Sequence, residues 1–307
     1  MPNANFDTLL STTLINYKKR LTDNVFLDRP LTQWLMAKDR MKKESGGTKI
    51  VEPLLYGSNS TVAAYSGYDP IALTPQTGIT AAEYDWKQLA GSIAISGIEE
   101  AKNNGEHAVV KLLDAKITQL EESMKDKFST MFYAATVATN EWNSLPVLID
   151  ATGTVGGISQ ATDAWWASYE ENTAEALSLA KMATAYNTPS NGNDHPDGAF
   201  TTQTLYEKYE ALLQPNLRYT DTKTAEAGFQ NLLFKSVPLT MDKQCTAGCL
   251  YFLNSKYLTL VAHSDKWFEQ TPFVRPENMD ARYALIFCYG NLTMRNRSRH
   301  GKLTAKT

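Results

Sequence analysis

One long amphipathic helix is the feature that most constrains how this chain of 307 residues can fold. Between residues 104 and 134, large apolar side chains recur at steps of three or four, which is the period of one helix face. They are Val109, Leu113, Ile117, Leu120, Met124, Phe128 and Met131. At 1.5 Å per residue such a helix would be roughly 45 Å long. Because that exceeds the diameter of a small domain, we expect the helix to form the spine of the fold.

Composition and charge exclude several classes of protein. Hydrophobic residues make up 43% of the chain and charged residues 21%, so the chain is neither disordered, collagen-like nor a coiled coil. A net charge of -3 argues against a surface that binds nucleic acid everywhere. No apolar run approaches the roughly 18 residues of a membrane span. The first residues also lack the basic-then-apolar order of a secretory signal.

The beginning of the chain has a different character from the residues that follow it. Residues 1–45 combine mixed charge with scattered apolar side chains, and they indicate either a solvated extension or a segment that packs against another chain. Residues 48–52 and 92–96 then have the composition and alternation of β-strands. The stretch that joins these strands is long and rich in Gly, Ser, Tyr and Pro. The sequence therefore predicts an extended hairpin that projects from the body, and a loop this long is usually functional.

Residues 145–249 have the pattern of a separate mixed lobe. We expect a strand at residues 145–150, a glycine-rich turn, and a helix from about Asn172 to Ala185, with Asn172 and Glu175 at capping-box spacing. A second helix is predicted from about Thr202 to Leu213. Strands return after residue 250, and residues 285–289 are predicted to form a buried one.

Few residue patterns in this chain are typical of catalysis or of metal binding. The turn from Gly153 to Gly157 follows a predicted strand but lacks both common phosphate-binding patterns, so we interpret it as a structural turn. Cys245 and Cys249 have neither redox nor zinc spacing, and Cys288 lies in an apolar run.

Histidines offer no clearer site. His195 stands between two aspartates in a Pro/Gly loop, a place where a lone histidine is usually solvated. No nucleophile accompanies His107, His263 or His300 in the sequence. The sequence therefore predicts no catalytic, cofactor-binding or metal-binding residues. Three cysteines are also too few for a disulfide framework, which favours a reducing compartment.

The C-terminal stretch is basic. Arg295, Arg297 and Arg299 alternate with Asn296 and Ser298, so in a strand all three arginines would share one face. With Lys302 and Lys306, residues 291–307 contain five lysine or arginine residues and no aspartate or glutamate. The stretch is interpreted either as a solvated tail or as a contact with a neighbouring subunit or with phosphates.

The order and spacing of several short motifs resemble a known family. They are Gly46-Gly47-x-x-Ile50-x-x-Pro53-Leu54, Tyr65-x-Gly67-x-Asp69, Tyr84-x-Trp86-Lys87-Gln88, Ile95-Ser96-Gly97-x-Glu99, Arg218-Tyr219, Ala227-Gly228-Phe229, Tyr251-Phe252-Leu253-Asn254 and Gly290-Asn291-Leu292-Thr293. Over essentially its whole length the chain resembles the major capsid proteins of tailed phages, which have the Hong Kong 97-type fold. That resemblance implies an α+β fold and a structural, non-enzymatic protein.

The resemblance also implies a division of the chain. Residues 1–45 would be the N-terminal arm, 46–96 the extended E-loop, 97–144 the P-domain with its spine helix, and 145–249 the A-domain. Residues 250–307 would supply the return strands of the P-domain and a C-terminal basic strand. The N-terminal arm begins almost at the first residue, so a fused scaffolding region is not expected.

The resemblance implies function and partners as well. Copies would form the pentamers and hexamers of an icosahedral shell in the virion, after synthesis in the cytoplasm of the bacterial host. Their partners would be one another, a portal protein, double-stranded DNA without sequence specificity and a separate scaffolding or decoration protein, with no membrane. Some family members cross-link subunits through an E-loop lysine, but no lysine lies between Lys49 and Lys87 here.

Two other functions remain open from the sequence. The chain could be a soluble α/β enzyme that binds a nucleotide at Gly153–Gly157, or a tail or decoration component of a phage particle. The form of the purified protein, whether shell, ring or compact monomer, would distinguish among the three.

Overall fold

The computed structural model describes residues 29–102, 116–117, 119–120, 123–124, 126–213 and 232–307, and within them the protein is α+β. The described helices are α1 Pro30–Ala37, α2 Gly97–Lys102, α3 Leu145–Leu148, α4 Leu179–Asn187 and α5 Gln203–Leu213. Every described residue from 116 to 132 is also helical, and we call this stretch the spine segment. Short 3-10 turns cover Ala164–Trp166, Ser255–Tyr257 and Arg297–Arg299.

The described strands form two large sheets and two small ones. They are β1 Met41–Glu44, β2 Ile50–Leu55, β3 Ile79–Tyr84, β4 Lys87–Ser96, β5 Thr154–Val155, β6 Ile158–Ser159, β7 Tyr169–Glu171, β8 Gly198–Thr201, β9 Leu232–Phe234, β10 Val237–Met241, β11 Leu250–Leu253, β12 Leu258–Gln270, β13 Ala281–Met294 and β14 Gly301–Leu303.

The first sheet has the strand order β1-β12-β13-β4 and carries the spine segment. Strand β1 is parallel to β12, while the pairs β12–β13 and β13–β4 are antiparallel. Ile117, Met124, Phe128 and Met131 are buried in one cluster with residues of this sheet, whereas Ser123 and Lys127 are exposed. The predicted apolar stripe is therefore confirmed where it is described, and Val109 and Leu113 lie outside the described residues.

The second sheet has the strand order β7-β14-β11-β8-β10-β9 and a core of its own. Its buried cluster includes Met182 of α4, Leu205 and Tyr209 of α5, and Phe252 of β11. Strands from after residue 250 contribute to both sheets, since β11 and β14 belong here while β12 and β13 belong to the first sheet. The predicted buried strand at 285–289 lies within β13, with Ile286 and Cys288 buried.

The third unit is a two-stranded ribbon, which we define as residues 50–84. Strands β2 and β3 pair antiparallel from Ile50 opposite Tyr84 to Leu55 opposite Ile79. The sequence led us to expect residues 92–96 as the returning strand of the hairpin, and that pairing is wrong. Residues 92–96 lie in β4 and pair with β13, because their alternating apolar side chains Ile93 and Ile95 find the main core there.

Two predicted elements of the lobe at 145–249 differ from the structure. Residues 145–148 form helix α3 instead of a strand, because Ser144 caps the turn by accepting from the Val147 N–H and Pro146 occupies its first turn. The helix expected from Asn172 begins instead at Leu179, where Ser178 is the cap. The helix predicted from Thr202 to Leu213 is confirmed as α5, Gln203–Leu213.

The end of the N-terminal stretch is part of the body. Helix α1 buries Leu31 and Leu35, and the indole of Trp34 meets the ring of Phe200 edge-on with centroids 5.4 Å apart. Strand β1 then extends the first sheet. Residues 30–44 are therefore neither of the two expected alternatives, a solvated extension or a segment that packs only against another chain. Residues 1–28 lie outside the described residues. No helix in the described part of the chain is long and apolar enough to cross a membrane.

Candidate assembly surface

The ribbon presents a large apolar surface to solvent. Most of the large apolar side chains that are exposed in the described part of the chain lie on it, namely Val51, Leu55, Tyr56, Val62, Tyr65, Tyr68, Ile71, Leu73 and Ile79. Tyr68 and Leu73 have relative exposures of 106% and 92%, so they contact almost nothing in their own chain. A two-stranded hairpin is at best marginally stable alone, and an apolar surface of this size marks an interaction site. The ribbon is therefore the candidate binding surface.

Charge is nearly absent from the outer part of the ribbon. Between residues 56 and 78 the only charged side chain is Asp69. The Ser66 N–H donates to Asp69 Oδ2 over 2.9 Å and the Asp69 N–H donates to the Ser66 carbonyl over 2.7 Å, which makes a tight turn at the tip. Cations lie only at the base, where Lys49 Nζ is 2.7 Å from Glu83 Oε2 and Lys87 Nζ is 2.6 Å from the Thr139 carbonyl. The hydrogen bond with Glu83 raises the pKa of Lys49.

The glycine turn from Gly153 to Gly157 supports the base of the ribbon. Strands β5 and β6 form a small hairpin whose two connecting residues, Gly156 and Gly157, have φ values of 62° and 78°, as a tight hairpin turn requires. The Glu83 N–H donates to the Gly156 carbonyl over 3.0 Å, and a Cβ at Gly156 would lie 2.7 Å from the Cβ of Ala82. The turn leads into a strand and no helix begins there, so it lacks the geometry of a phosphate-binding turn.

The expected basic strand at the C-terminus does not form. Strand β13 ends at Met294 and Arg297–Arg299 is a 3-10 turn, so the three arginines point to three different partners. Arg295 Nε donates to buried Glu52 over 2.7 Å, and Arg299 Nη1 donates to the Pro189 carbonyl over 3.2 Å. The side chain of Arg297 is fully buried. The prediction that these arginines form one charged face is therefore wrong.

The two C-terminal lysines also have partners within the chain. Lys302 Nζ lies 3.0 Å from Glu170 Oε1, and Lys306 Nζ lies 3.0 Å from Glu175 Oε1. Both lysines are buried. These two lysines therefore hold the C-terminal residues against the second sheet, so the last residues are not a solvated tail.

The loop with Asp194, His195 and Asp197 is a structural anchor. Asp194 accepts hydrogen bonds from Tyr257 Oη at 2.5 Å and from Asn254 Nδ2 at 2.9 Å. Asp197 accepts from the Ser255 N–H and hydroxyl, at 2.7 and 2.6 Å. His195 is exposed, as predicted. Both carboxylates are thus used to fix the residues that lead into β12.

The remaining titratable residues do not come together as a site. Cys245, Cys249 and Cys288 are buried free thiols, and burial raises the pKa of each. His263 and His300 lie in separate surroundings, and His107 is outside the described residues. In the part of the chain that the structure describes, no group of three or more His, Cys, Asp or Glu is placed to hold a metal ion.

The sequence does not predict that the apolar side chains of the ribbon tip form an exposed surface. Val62, Ile71 and Leu73 fit neither helix nor strand periodicity, so their pattern indicates no packing partner. The available signal was their occurrence in a Gly/Pro-rich stretch, where apolar residues have no core of their own to enter.

Solved structures with similar folds are capsid and shell proteins. A chain of the capsid asymmetric unit of cyanophage A-1(L) is 18% identical, with a TM-score of 0.63 over 87% of this chain and 90% of that one. A chain of the satellite phage P4 procapsid is 12% identical, with a TM-score of 0.54 over 96% and 98%. A chain of the encapsulin complex from Synechococcus elongatus is 8% identical, with a TM-score of 0.54 over 89% and 87%.

These likenesses confirm the α+β fold of Hong Kong 97-type capsid proteins that the sequence motifs imply. No protein-family model matches the sequence, and no curated protein matches it significantly.

Proposed function

We propose that this protein is the major capsid protein of a tailed double-stranded DNA phage, and that copies assemble into pentamers and hexamers of an icosahedral shell. The observation that carries the proposal is an apolar ribbon that projects from a capsid-type fold. Apolar side chains such as Tyr68 and Leu73 gain burial when a second copy covers them, which couples assembly to stability.

The division of the chain follows from this proposal. Residues 1–45 are the N-terminal arm and 46–96 the E-loop, which contains the ribbon. The P-domain comprises residues 97–144 and the long strands of 250–307, and residues 145–249 are the A-domain. Similar shell proteins support this division through their fold.

The partners of the shell belong to the same proposal. Copies of the chain are the first partner, and the packaged DNA is contacted without sequence specificity. A portal protein and a separate scaffolding or decoration protein complete the particle in the bacterial cytoplasm, and the mature location is the virion. Support for self-assembly comes from solved relatives that are themselves capsid assemblies.

Expression of the full chain followed by sedimentation and electron microscopy tests this function. We expect closed shells or capsomers from the wild-type chain. Leu73→Asp places a charge on the exposed ribbon tip and should abolish shells while leaving the monomer folded, because Leu73 has almost no contacts in its own chain. Met241→Asp, at an exposed apolar residue of β10, is the matched control and should assemble normally.

Other outcomes would identify a different function. A compact monomer or dimer that binds nucleotide would favour the enzyme, whereas rings, tubes or shell-bound trimers would favour a tail or decoration component.

A further inference from the structure

A cationic cavity of about 550 Å³ lies beside the base of the ribbon. Its cations are Arg40, Lys256 and Arg295, and no acidic residue lines it in the described part of the chain. The sheet brings these cations together, since Arg40 precedes β1, Lys256 precedes β12 and Arg295 follows β13, at one end of three adjacent strands.

Two of these positive charges have no salt bridge in the described part of the chain, although Asp194 is a partial counter-charge to Lys256, whose Nζ lies 5.2 Å from the centroid of the Tyr257 ring. Arg295 is neutralised by Glu52, but Arg40 and Lys256 have no ion pair among the described residues. The Nε of Arg40 is buried and has no hydrogen-bond partner in the same part of the chain. The excess of positive charge in the lining suits the cavity to an oxyanion, which accepts charge-assisted hydrogen bonds from arginine and lysine.

Part of the cavity lining is apolar and aromatic, and we call this part the aromatic wall. Tyr56 stacks on Trp165 with ring centroids 5.1 Å apart and planes inclined by 18°, and Pro53 and Leu54 continue the wall. A free phosphate would bind the cations and leave the aromatic wall uncovered. A carboxylate with an aromatic side chain beside it would contact both the cations and the aromatic wall.

We propose that this cavity receives the ribbon tip of a second copy, with the carboxylate of Asp69 at the cations and Tyr65 or Tyr68 against the aromatic wall. The tip has the required composition, since Asp69 is its only charge and both tyrosines are exposed. This inference rests on the proposed function, because it assigns the contact through which copies of the chain recognise one another.

A tip cannot fill the cavity of its own chain. The two arms of the ribbon are tied by a hydrogen bond from the Tyr56 N–H to the Gly78 carbonyl and again by contacts of Ser60 with Gln76. The nine residue-to-residue steps from Tyr56 to Tyr65 can extend over roughly 30 Å. With its arms tied and its tyrosines exposed, the tip is held away from the ribbon base that lines the cavity.

Charge reversal of Lys256 tests the contact. Lys256→Glu should lower the yield of shells at fixed protein concentration about tenfold, because attraction between a cation and Asp69 becomes repulsion. Asp69→Lys should do the same, and the double variant Lys256→Glu/Asp69→Lys should recover the yield. Lys243→Glu is the control, because Lys243 is an exposed lysine that does not line the cavity.

Peptide binding gives a readout that does not depend on shells. A labelled, end-capped peptide of residues 60–76 should bind the full chain, kept below its assembly concentration, and bind Lys256→Glu about tenfold more weakly. Wild-type affinity of that variant, or a double variant that stays defective, would overturn the proposal. Binding of inorganic phosphate or short duplex DNA, with none of the peptide, would show a phosphate site instead. Peptide binding without any shells from the wild-type chain would support the contact and contradict the capsid function.

Discussion

The buried guanidinium of Arg297 joins segments that are far apart in the sequence. Its Nε donates to the Leu148 carbonyl over 2.6 Å, and its Nη2 donates to the Asp150 carbonyl over 2.8 Å. The ring of Trp166 lies 5.9 Å from the guanidinium carbon, and burial lowers the pKa of Arg297 to about 10. The side chain thus holds the end of helix α3 against the turn that follows β13.

Arg297→Gln should lower the free energy of unfolding by about 2–4 kcal/mol, because two buried carbonyls lose charged donors. Urea unfolding monitored by tryptophan fluorescence measures the change. Arg275→Gln, which removes only the exposed ion pair with Asp280, should cost less than about 1 kcal/mol. Equal midpoints for the two variants would show that Arg297 has no special structural role.

His300 should make the folded protein sensitive to mild acid. The imidazole is buried, accepts from the Asn254 N–H over 3.3 Å, and has its pKa lowered to about 3 by burial, with Arg297 lowering it further and Asp194 and Asp197 opposing. The unfolded chain binds this proton near pH 6.5 and the folded chain near pH 3, so His300's contribution to stability is complete above pH 6.5 and is lost as pH falls toward 3.

Between pH 6.5 and 5 the loss amounts to about 2 kcal/mol, from about 1.4 kcal/mol per pH unit and one proton. Urea unfolding at several pH values within this window checks the slope, which lies above the range where carboxylates titrate. His300→Gln should flatten the slope, and His195→Gln, at an exposed histidine, should leave it unchanged. An unaltered slope in the His300 variant would refute the assignment.

At the scale of elements, the spine segment depends on one buried face. Met124→Asp should prevent accumulation of soluble protein, because an unpaired charge would enter the core shared with Phe128. Ser123→Asp is the matched control, since the adjacent side chain is exposed and should fold nearly as well as the wild type. Soluble yield and thermal melting compare the two, and equal behaviour would place the stripe on the wrong face.

The sequence predicts elements best where local pattern and burial agree. The predictions of the apolar stripe of the spine segment and of helix α5 are correct, because an apolar period of three to four residues fits a helix with one buried face. The prediction that the C-terminal arginines form one face is wrong because their alternation continues past the end of β13. There the hydrogen bonds of Arg297 with the carbonyls of Leu148 and Asp150 determine where its side chain lies. Such carbonyls carry no sequence signal.

The candidate surface could be predicted only in outline. A long polar loop indicates a projecting hairpin, but the cavity of Arg40, Lys256 and Trp165 combines segments up to about two hundred residues apart in sequence. Their proximity arises from the strand order of the first sheet, which pairs β1 with β12. Residue patterns within one segment cannot show it.

At the scale of the whole molecule, helix α1 and strand β1 belong to the folded body. Deletion of residues 1–45 should destabilise the body, because it removes buried Leu31 and Leu35, worth about 1.5–3 kcal/mol each, together with edge strand β1. Deletion of residues 1–28 spares these contacts, so it should lower the melting temperature less than deletion of residues 1–45 does. A normal melting temperature for the longer deletion would contradict the packing of α1.

Assembled particles should separate fully into single chains in hot denaturant with reducing agent. The ribbon carries no lysine, and Lys49 and Lys87 at its base are both engaged, with Glu83 and with the Thr139 carbonyl. An isopeptide bond from the tip therefore has no amine to form it. A denaturing gel checks this, and persistent pentamer or hexamer bands would contradict it.

The contact of Gly156 with β3 attaches the base of the ribbon to the small hairpin of β5 and β6. The Glu83–Gly156 hydrogen bond and the Tyr56–Trp165 stack both hold the base of the ribbon. A tilt of the small hairpin would therefore rotate the whole ribbon. With an arm of roughly 30 Å, a tilt of about 10° at the base moves the tip by about 5 Å. A small rotation of the β5–β6 hairpin would thereby produce a large displacement of the ribbon tip. In the shell that we propose, this would let one chain reach neighbours at the different spacings that a curved, closed surface imposes.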